Sequence, residues 1–115
     1  MPFIYSYGTI FHMPKENVKD TINEFKRVLM SDGLCFVSFL SKEDDRYGQG
    51  IKVRNDEYFE VEYGEDIIHS YFEINECDTY FEDMEIIYKE FRLFERIYEG
   101  KKIKQGYIDY IAQKK

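Results

Sequence analysis

The 115-residue sequence is poor in several features that usually define a functional class. It has no tryptophan, two prolines and two cysteines, and none of its apolar runs is long enough to cross a bilayer. Cys35 and Cys77 make neither a disulfide framework nor a zinc pattern, and no signal-peptide pattern stands at the start. We therefore expect a cytoplasmic protein in a reducing compartment, with no membrane span and no metal site.

A basic stripe is also missing. The formal net charge is −7, and the nearest basic segment, Gly100–Lys104, has the composition of a charged hairpin tip. Because nucleic-acid binding depends on neutralising phosphates, we expect no nucleic-acid partner. The sequence does contain 43% hydrophobic and 18% aromatic residues, which is enough to build one packed domain over residues 1–115.

The first forty residues have the pattern of a β-α-β unit. Phe3–Tyr7 reads as a strand, and Pro14 suits the first turn of a helix. Helical spacing follows at Val18, Ile22, Phe25 and Leu29. Gly33 is expected to take a positive φ where this helix ends. Leu34–Leu40 is almost continuously apolar, as in a strand that is covered on both faces.

The rest of the chain predicts a loop, a short helix and a hairpin. Ser41–Glu57 is charged and contains glycines, and a short strand follows at 58–63. A helix is predicted from near Glu73, with an inner face of Ile74, Cys77 and Phe81. Met84–Tyr98 and 106–112 predict an antiparallel hairpin that turns at 99–105. The expected fold class is α/β, with a mostly parallel sheet and one antiparallel strand at its end.

Several of these segments resemble the C-terminal half of a class I S-adenosylmethionine-dependent methyltransferase. The resemblance lies in "FIYSYGTIFHMP", in the helix ending "EFKRVL", in "GLCFVSFLS" and in "HSYFEINECDTYFEDMEIIYKEFRLFE". It implies a partial Rossmann-like sheet of the order β-α-β, short helix and terminal antiparallel hairpin. It also implies S-adenosylmethionine as the cofactor and transfer of a methyl group to an acceptor.

The family's cofactor-binding start has no counterpart in this sequence. No Gly-x-Gly follows a strand, and "YGQG" at 47–50 opens no helix. The resemblance thus implies a truncated or split form that binds S-adenosylmethionine weakly or not at all when alone. The edge of Phe3–Tyr7 would lack its neighbouring strand, so we expect a homodimer or a complementary chain to pair with it. The alternative is a non-catalytic dimerisation or regulatory module.

The resemblance also nominates site residues. Ser6, Tyr7, Gly8 and Thr9 would line the methionine side of the cofactor, although Gly8 can simply permit a turn. His12 would be a general base, or else a structural histidine at the start of the helix.

For each of three further groups of residues, two interpretations remain open. His69 and Tyr71 would lie over the acceptor pocket or anchor a loop. Glu43, Asp44 and Asp45 would hold a cation or an amine, or form a solvated loop. The aromatic residues of Met84–Tyr98 belong to the core and sheet surface, where they can also serve association.

Overall fold

The computed structural model of the protein describes residues 1–6, 12–62 and 65–115. These residues form one α-helix, one 3₁₀ helix and seven strands. In chain order the elements are β1 (Phe3–Ser6), α1 (Lys15–Val28), β2 (Leu34–Ser41), β3 (Ile51–Arg54), β4 (Glu57–Glu62), β5 (Glu65–Phe72), the 3₁₀ helix (Glu76–Phe81), β6 (Met84–Tyr98) and β7 (Lys101–Lys114).

The β-α-β unit predicted from the sequence is confirmed. β1 and β2 pair in parallel, with Phe3 opposite Leu34 and Ser6 opposite Val37. α1 starts directly after Pro14, whose missing N–H is not needed at a helix N-terminus. The helix returns the chain to the start of the next strand, as a crossover between parallel strands must.

The end of α1 differs from the expectation in one residue. The positive φ belongs to Asp32, at 66°, and not to Gly33. Gly33 is needed for space, because a Cβ there would lie 2.8 Å from the carbonyl oxygen of Met30 and 3.1 Å from that of Met1. The turn therefore combines a strained Asp32 with a crowded Gly33.

β2 is the centre of the sheet. β7 pairs antiparallel along one edge of β2, from Leu34 opposite Gln113 to Leu40 opposite Tyr107. The other edge is shared between β1 and the end of β5, which pairs in parallel at Leu40 and Ser41. The strand order is β3-β4-β5-β2-β7-β6, with β1 beside β2.

The expectation of a mostly parallel sheet is wrong. Only the β1–β2 and β2–β5 pairs are parallel, and the other four are antiparallel among the described strands. The cause is the segment between β2 and the 3₁₀ helix. It folds as a meander of β3, β4 and β5, with a turn at Asn55 and Asp56. β4 corresponds to the short strand predicted at 58–63, whereas β3 and β5 were not predicted.

Two predicted elements have different bounds. The segment before Glu73 is the end of β5, and the helix is a 3₁₀ turn that begins at Glu76. Cys77 and Phe81 form its inner face as predicted, whereas Ile74 is 48% exposed. The terminal hairpin is confirmed, but its turn is shorter than 99–105. It consists of Glu99 and Gly100, both with positive φ, which is the geometry of a two-residue hairpin.

The core lies on one face of the sheet. Phe39 of β2 packs against Phe72, Phe81 and Tyr110, with ring centroids 5.1, 6.3 and 5.6 Å away. The buried residues of α1 and of the 3₁₀ helix belong to the same core cluster, so both described helices cover this face. In the described part of the chain, no helix is both long and apolar enough to cross a membrane.

Candidate functional site

Among the predicted site residues that the structure describes, His12, His69 and Tyr71 lie in a row of ring contacts. Ser6 marks the carboxyl end of β1, which is where ligands bind in open α/β sheets. Ser6 ends β1 and is buried. Tyr7, Gly8 and Thr9 lie outside the described residues, so their predicted roles stay predictions. The described chain resumes at His12, just before α1.

His12 and His69 lie side by side. Their ring centroids are 4.9 Å apart and their planes are tilted by 42°. His69 is on β5 and is only 2% exposed, whereas His12 is half-buried. The hydroxyl of Ser70 donates a hydrogen bond of 2.5 Å to the carbonyl of Met13, which ties the segment after β1 to β5. His69 therefore lies on a strand, in contact with the segment that precedes α1.

Tyr71 contacts His69 and extends the row of rings that begins at His12. Its ring is 6.3 Å from that of His69, and it packs edge-on against Tyr47 and Tyr58 at 5.3 and 6.0 Å. Tyr47, Tyr58 and Tyr71 are called the tyrosine cluster below. Sequence reasoning missed two members. Tyr58 stands in a strand-like alternation that could have indicated an inward position, but Tyr47 carries no such signal.

Asp56 binds one member of the tyrosine cluster, Tyr47. The hydroxyl of Tyr47 donates a 2.6 Å hydrogen bond to this carboxylate, which, with some burial, raises the pKa of Tyr47 to about 12. Lys15 and Lys42 lie 3.7 and 3.4 Å from the same carboxylate. Burial opposes the ionisation of Asp56, but the hydrogen bond from Tyr47 and the two ammonium groups outweigh it and lower the pKa.

The first backbone N–H of α1 is bound by a carboxylate of the protein. The backbone N–H of Lys15 donates to Glu57 at 3.2 Å, and Glu57 is 4% exposed. The ammonium of Lys15 lies 2.6 Å from Glu76 and sits 4.5 Å above the ring centroid of Phe72. This helix end therefore offers its first N–H group to the protein itself and not to an anionic ligand.

In the acidic cluster after β2, Glu43 and Asp45 are exposed, as the interpretation as a solvated loop expects, whereas Asp44 is buried. The Asp44 side chain is fully buried, receives a hydrogen bond of 3.0 Å from the N–H of Gly106 and pairs with Arg46 at 2.8 Å. Burial opposes the charge of Arg46, but the hydrogen bond and charge of Asp44 raise the pKa of the guanidinium. In the described ranges no three His, Cys, Asp or Glu side chains are arranged to hold a metal ion.

A separate surface groove runs along α1. It has a volume of about 330 Å³, at the lower end of ligand-pocket sizes, and none of the predicted site residues lines it. Its lining residues are Lys19, Asn23, Lys26, Thr79, Tyr80 and Glu82.

Solved structures share the fold of this chain. A SAM-dependent methyltransferase from Methanosarcina mazei is 22% identical, with a TM-score of 0.71 over 99% of this chain. TehB from Haemophilus influenzae is 19% identical, with a TM-score of 0.62 over 99% of this chain. A SAM-dependent methyltransferase from Anabaena variabilis is 15% identical, with a TM-score of 0.65 over 98% of this chain.

The similarity is one of fold. No protein-family model matches the sequence, and no curated protein matches it. The chain spans 59%, 35% and 48% of the lengths of the three solved proteins. The 115 residues thus have a class I methyltransferase-like fold, which the resemblance in the sequence had implied.

Proposed function

We propose that this chain is the acceptor side of a S-adenosylmethionine-dependent methyltransferase. The observation that carries the proposal is the placement of His12 against His69 at the carboxyl end of β1, on a fold shared with solved methyltransferases. Two buried polar strand residues, Ser6 and His69, lie at this site. A small number of polar groups that face one place is typical of a ligand-binding site.

The residues fit one side of the cofactor and not the other. Ser6, with Tyr7, Gly8 and Thr9, would line the methionine side. The adenosine side needs a glycine-rich turn between a strand and a helix. Gly48 and Gly50 instead lie before β3, both with φ of 87°. We therefore expect the 115 residues alone to bind S-adenosylmethionine weakly.

The chain's own contribution to the reaction is orientation and proton removal. S-adenosylmethionine supplies an electrophilic methyl group when it is bound. His69 and Tyr71 form a buried wall against which an acceptor can be aligned, and alignment is the main need of a direct transfer. His12 is the less buried imidazole, and it can take the proton that an acceptor hydroxyl or amine loses.

The cofactor-binding part would join at the open side of β1. Among the described residues, β1 pairs with β2 alone, and Phe3 and Tyr5 are 49% and 63% exposed. We assign this edge to a strand of a complementary segment that carries the glycine-rich turn. Such an enzyme would work in a reducing cytoplasm, which agrees with Cys35 and Cys77 being free thiols.

Amide chemical shifts measured during ligand titration test the proposal. S-adenosylmethionine at millimolar concentration should shift the amide signals of Ser6, His12 and His69, whereas adenosine should leave them unchanged. The Ser6→Val variant should lose the shifts, and Ile51→Val, at an exposed position of β3, should keep them. Absence of shifts with every ligand would contradict the proposal. Together with a stable dimer, it would favour the non-catalytic association module.

A further inference from the structure

Two buried polar side chains lie opposite each other in the β-meander. Glu57 of β4 pairs with Ser70 of β5, so both side chains are on the same face of the sheet. Glu57 is 4% exposed and Ser70 is 0% exposed. These two residues are called the polar pair below. Because buried polar groups need hydrogen-bond partners, the partners of the polar pair indicate its role.

Both members of the polar pair bind the segment that leads into α1. The hydroxyl of Ser70 donates a hydrogen bond of 2.5 Å to the carbonyl of Met13. The carboxylate of Glu57 accepts a hydrogen bond of 3.2 Å from the backbone N–H of Lys15. The two bound groups are two residues apart in the chain. The polar pair therefore holds this backbone at two points, once by a donor and once by an acceptor.

The side chain of Met13 is held as well. Its sulfur lies 3.5 Å from the hydroxyl of Thr21 on α1, and the residue packs against the core cluster. A displacement of Met13 relative to β5 would thus break the hydrogen bond from Ser70 and disturb packed contacts. We expect the residue before it, His12, to share this fixed position.

The polar pair and the two histidines lie on opposite faces of β5. Successive residues of a strand point to opposite faces, so the side chain of His69 points away from that of Ser70. The ring of His12 contacts His69 on one face, while the carbonyl of Met13 binds Ser70 on the other. Two consecutive residues of β5 thereby hold two consecutive residues of the segment before α1.

We propose that Glu57 and Ser70 are positioning residues of the candidate site, which hold the imidazole of His12 against His69. The proton-removing role of His12 comes from the proposed function, on which this inference rests. A base must lie within hydrogen-bond reach of the proton that it takes, and a misplacement of about 1 Å can cost on the order of a hundredfold in rate. The polar pair acts through the backbone next to His12 and not on the acceptor.

A second buried serine separates positioning from a general loss of stability. Ser38 is also 0% exposed, and its hydroxyl donates a hydrogen bond of 2.7 Å to Asp109. Loss of either hydroxyl leaves a buried acceptor without that donor, so Ser38→Ala and Ser70→Ala should both lower stability. Only Ser70→Ala should also displace His12.

Nuclear Overhauser effects between the two imidazoles test the proposal on the chain without ligand. The chain has only two histidines, so His12→Asn and His69→Asn assign the ring signals. The effect between the rings should lose more than half of its intensity in Ser70→Ala and stay unchanged in Ser38→Ala. Ser70→Thr, which keeps the hydroxyl, should retain it.

Further variants cover the fold and the other member of the polar pair. Ser70→Cys keeps the shape of the side chain with a weaker donor, so it should give an intermediate intensity and replaces Ser70→Ala if that variant does not fold. Glu57→Gln keeps an acceptor for the N–H of Lys15 and should retain the effect, whereas Glu57→Leu should weaken it.

The proposal is overturned if Ser70→Ala or Glu57→Leu keeps the full intensity, or if Ser38→Ala loses as much as Ser70→Ala. The outcome is distinguishable from a failure of the proposed function. A wild type whose imidazoles show the effect, but whose amide signals do not shift with S-adenosylmethionine, would contradict the proposed function and leave the positioning of His12 by the polar pair in place.

Discussion

The rings of His12 and His69 lie 4.9 Å apart at the carboxyl end of β1. The segments that carry them are joined by the hydrogen bond from Ser70 to Met13, across 57 positions of sequence. The chain has only two histidines, and the fold brings both to one place. His69 is almost fully buried, whereas His12 is half-buried. The proposed removal of a proton therefore falls to His12, and the proposed alignment of the acceptor falls to His69.

The first prediction concerns the reactivity of the two imidazoles. Diethylpyrocarbonate should modify the half-buried His12 first and His69 at least about tenfold more slowly, because His69 must wait for local opening. The rise in absorbance at 240 nm should therefore have two phases. His12→Asn should remove the fast phase alone and His69→Asn the slow one. Equal rates for both histidines would contradict the burial of His69.

The second prediction concerns Tyr47 and alkaline pH. Its pKa of about 12 in the folded protein exceeds the ordinary value of about 10, because its hydroxyl donates to Asp56 and is partly buried. A raised pKa stabilises the fold fully below pH 10, and this stabilisation is lost as the pH rises from about 10 through 12. Tyr47→Phe should lower the free energy of unfolding by about 1 kcal/mol at pH 8.

Urea unfolding at several pH values checks this prediction. The difference between wild type and Tyr47→Phe should shrink as the pH approaches 12. The control is Tyr58→Phe, which keeps the ring of a tyrosine-cluster neighbour whose hydroxyl makes no hydrogen bond to the described residues. It should change stability little at any pH. A difference between wild type and Tyr47→Phe that stays constant across this range would contradict the role of the hydroxyl.

The parts of the fold that depend on apolar pattern could be predicted from the sequence. β1, α1 and β2 follow from runs and helical spacing that bury large side chains, and the β6–β7 hairpin follows in the same way. β5 was missed because it buries polar residues. His69 and Ser70 are 2% and 0% exposed, and Ser70 is satisfied by the carbonyl of Met13. A partner so far away in sequence leaves no local pattern.

The residues at the centre of the candidate site could be predicted from the sequence, but the residues that surround them could not. His12, His69 and Tyr71 came from the resemblance, whereas Tyr47 and Asp56 came only from the fold. Their contact depends on two turns that bring a loop onto the β-meander, and nothing in their spacing indicates it.

The third prediction concerns the buried carboxylate after β2. Asp44→Asn removes the charge that pairs with Arg46 and weakens the acceptor of the Gly106 N–H. Unfolding in urea should show a loss of about 2–3 kcal/mol, since the Arg46 guanidinium is left in a partly buried place. Glu43→Gln is the matched control at an exposed neighbour and should stay within about 0.5 kcal/mol. Equal effects would mean that Asp44 is solvated.

The last prediction concerns an ion pair on the sheet face opposite the core cluster. Asp109 is buried, accepts a 2.7 Å hydrogen bond from Ser38 and pairs with Arg92. Arg92→Met should cost about 2–4 kcal/mol in urea unfolding, because the Asp109 carboxylate loses its counter-charge in a site with little water. Adding Asp109→Asn should restore more than half of that loss, since a neutral amide needs no counter-charge. Arg96→Met, on the same strand but exposed, should change stability by less than about 0.5 kcal/mol. If the double variant were no more stable than Arg92→Met, the loss would come from the contact of the Arg92 guanidinium with the Tyr107 ring and not from its pairing with Asp109.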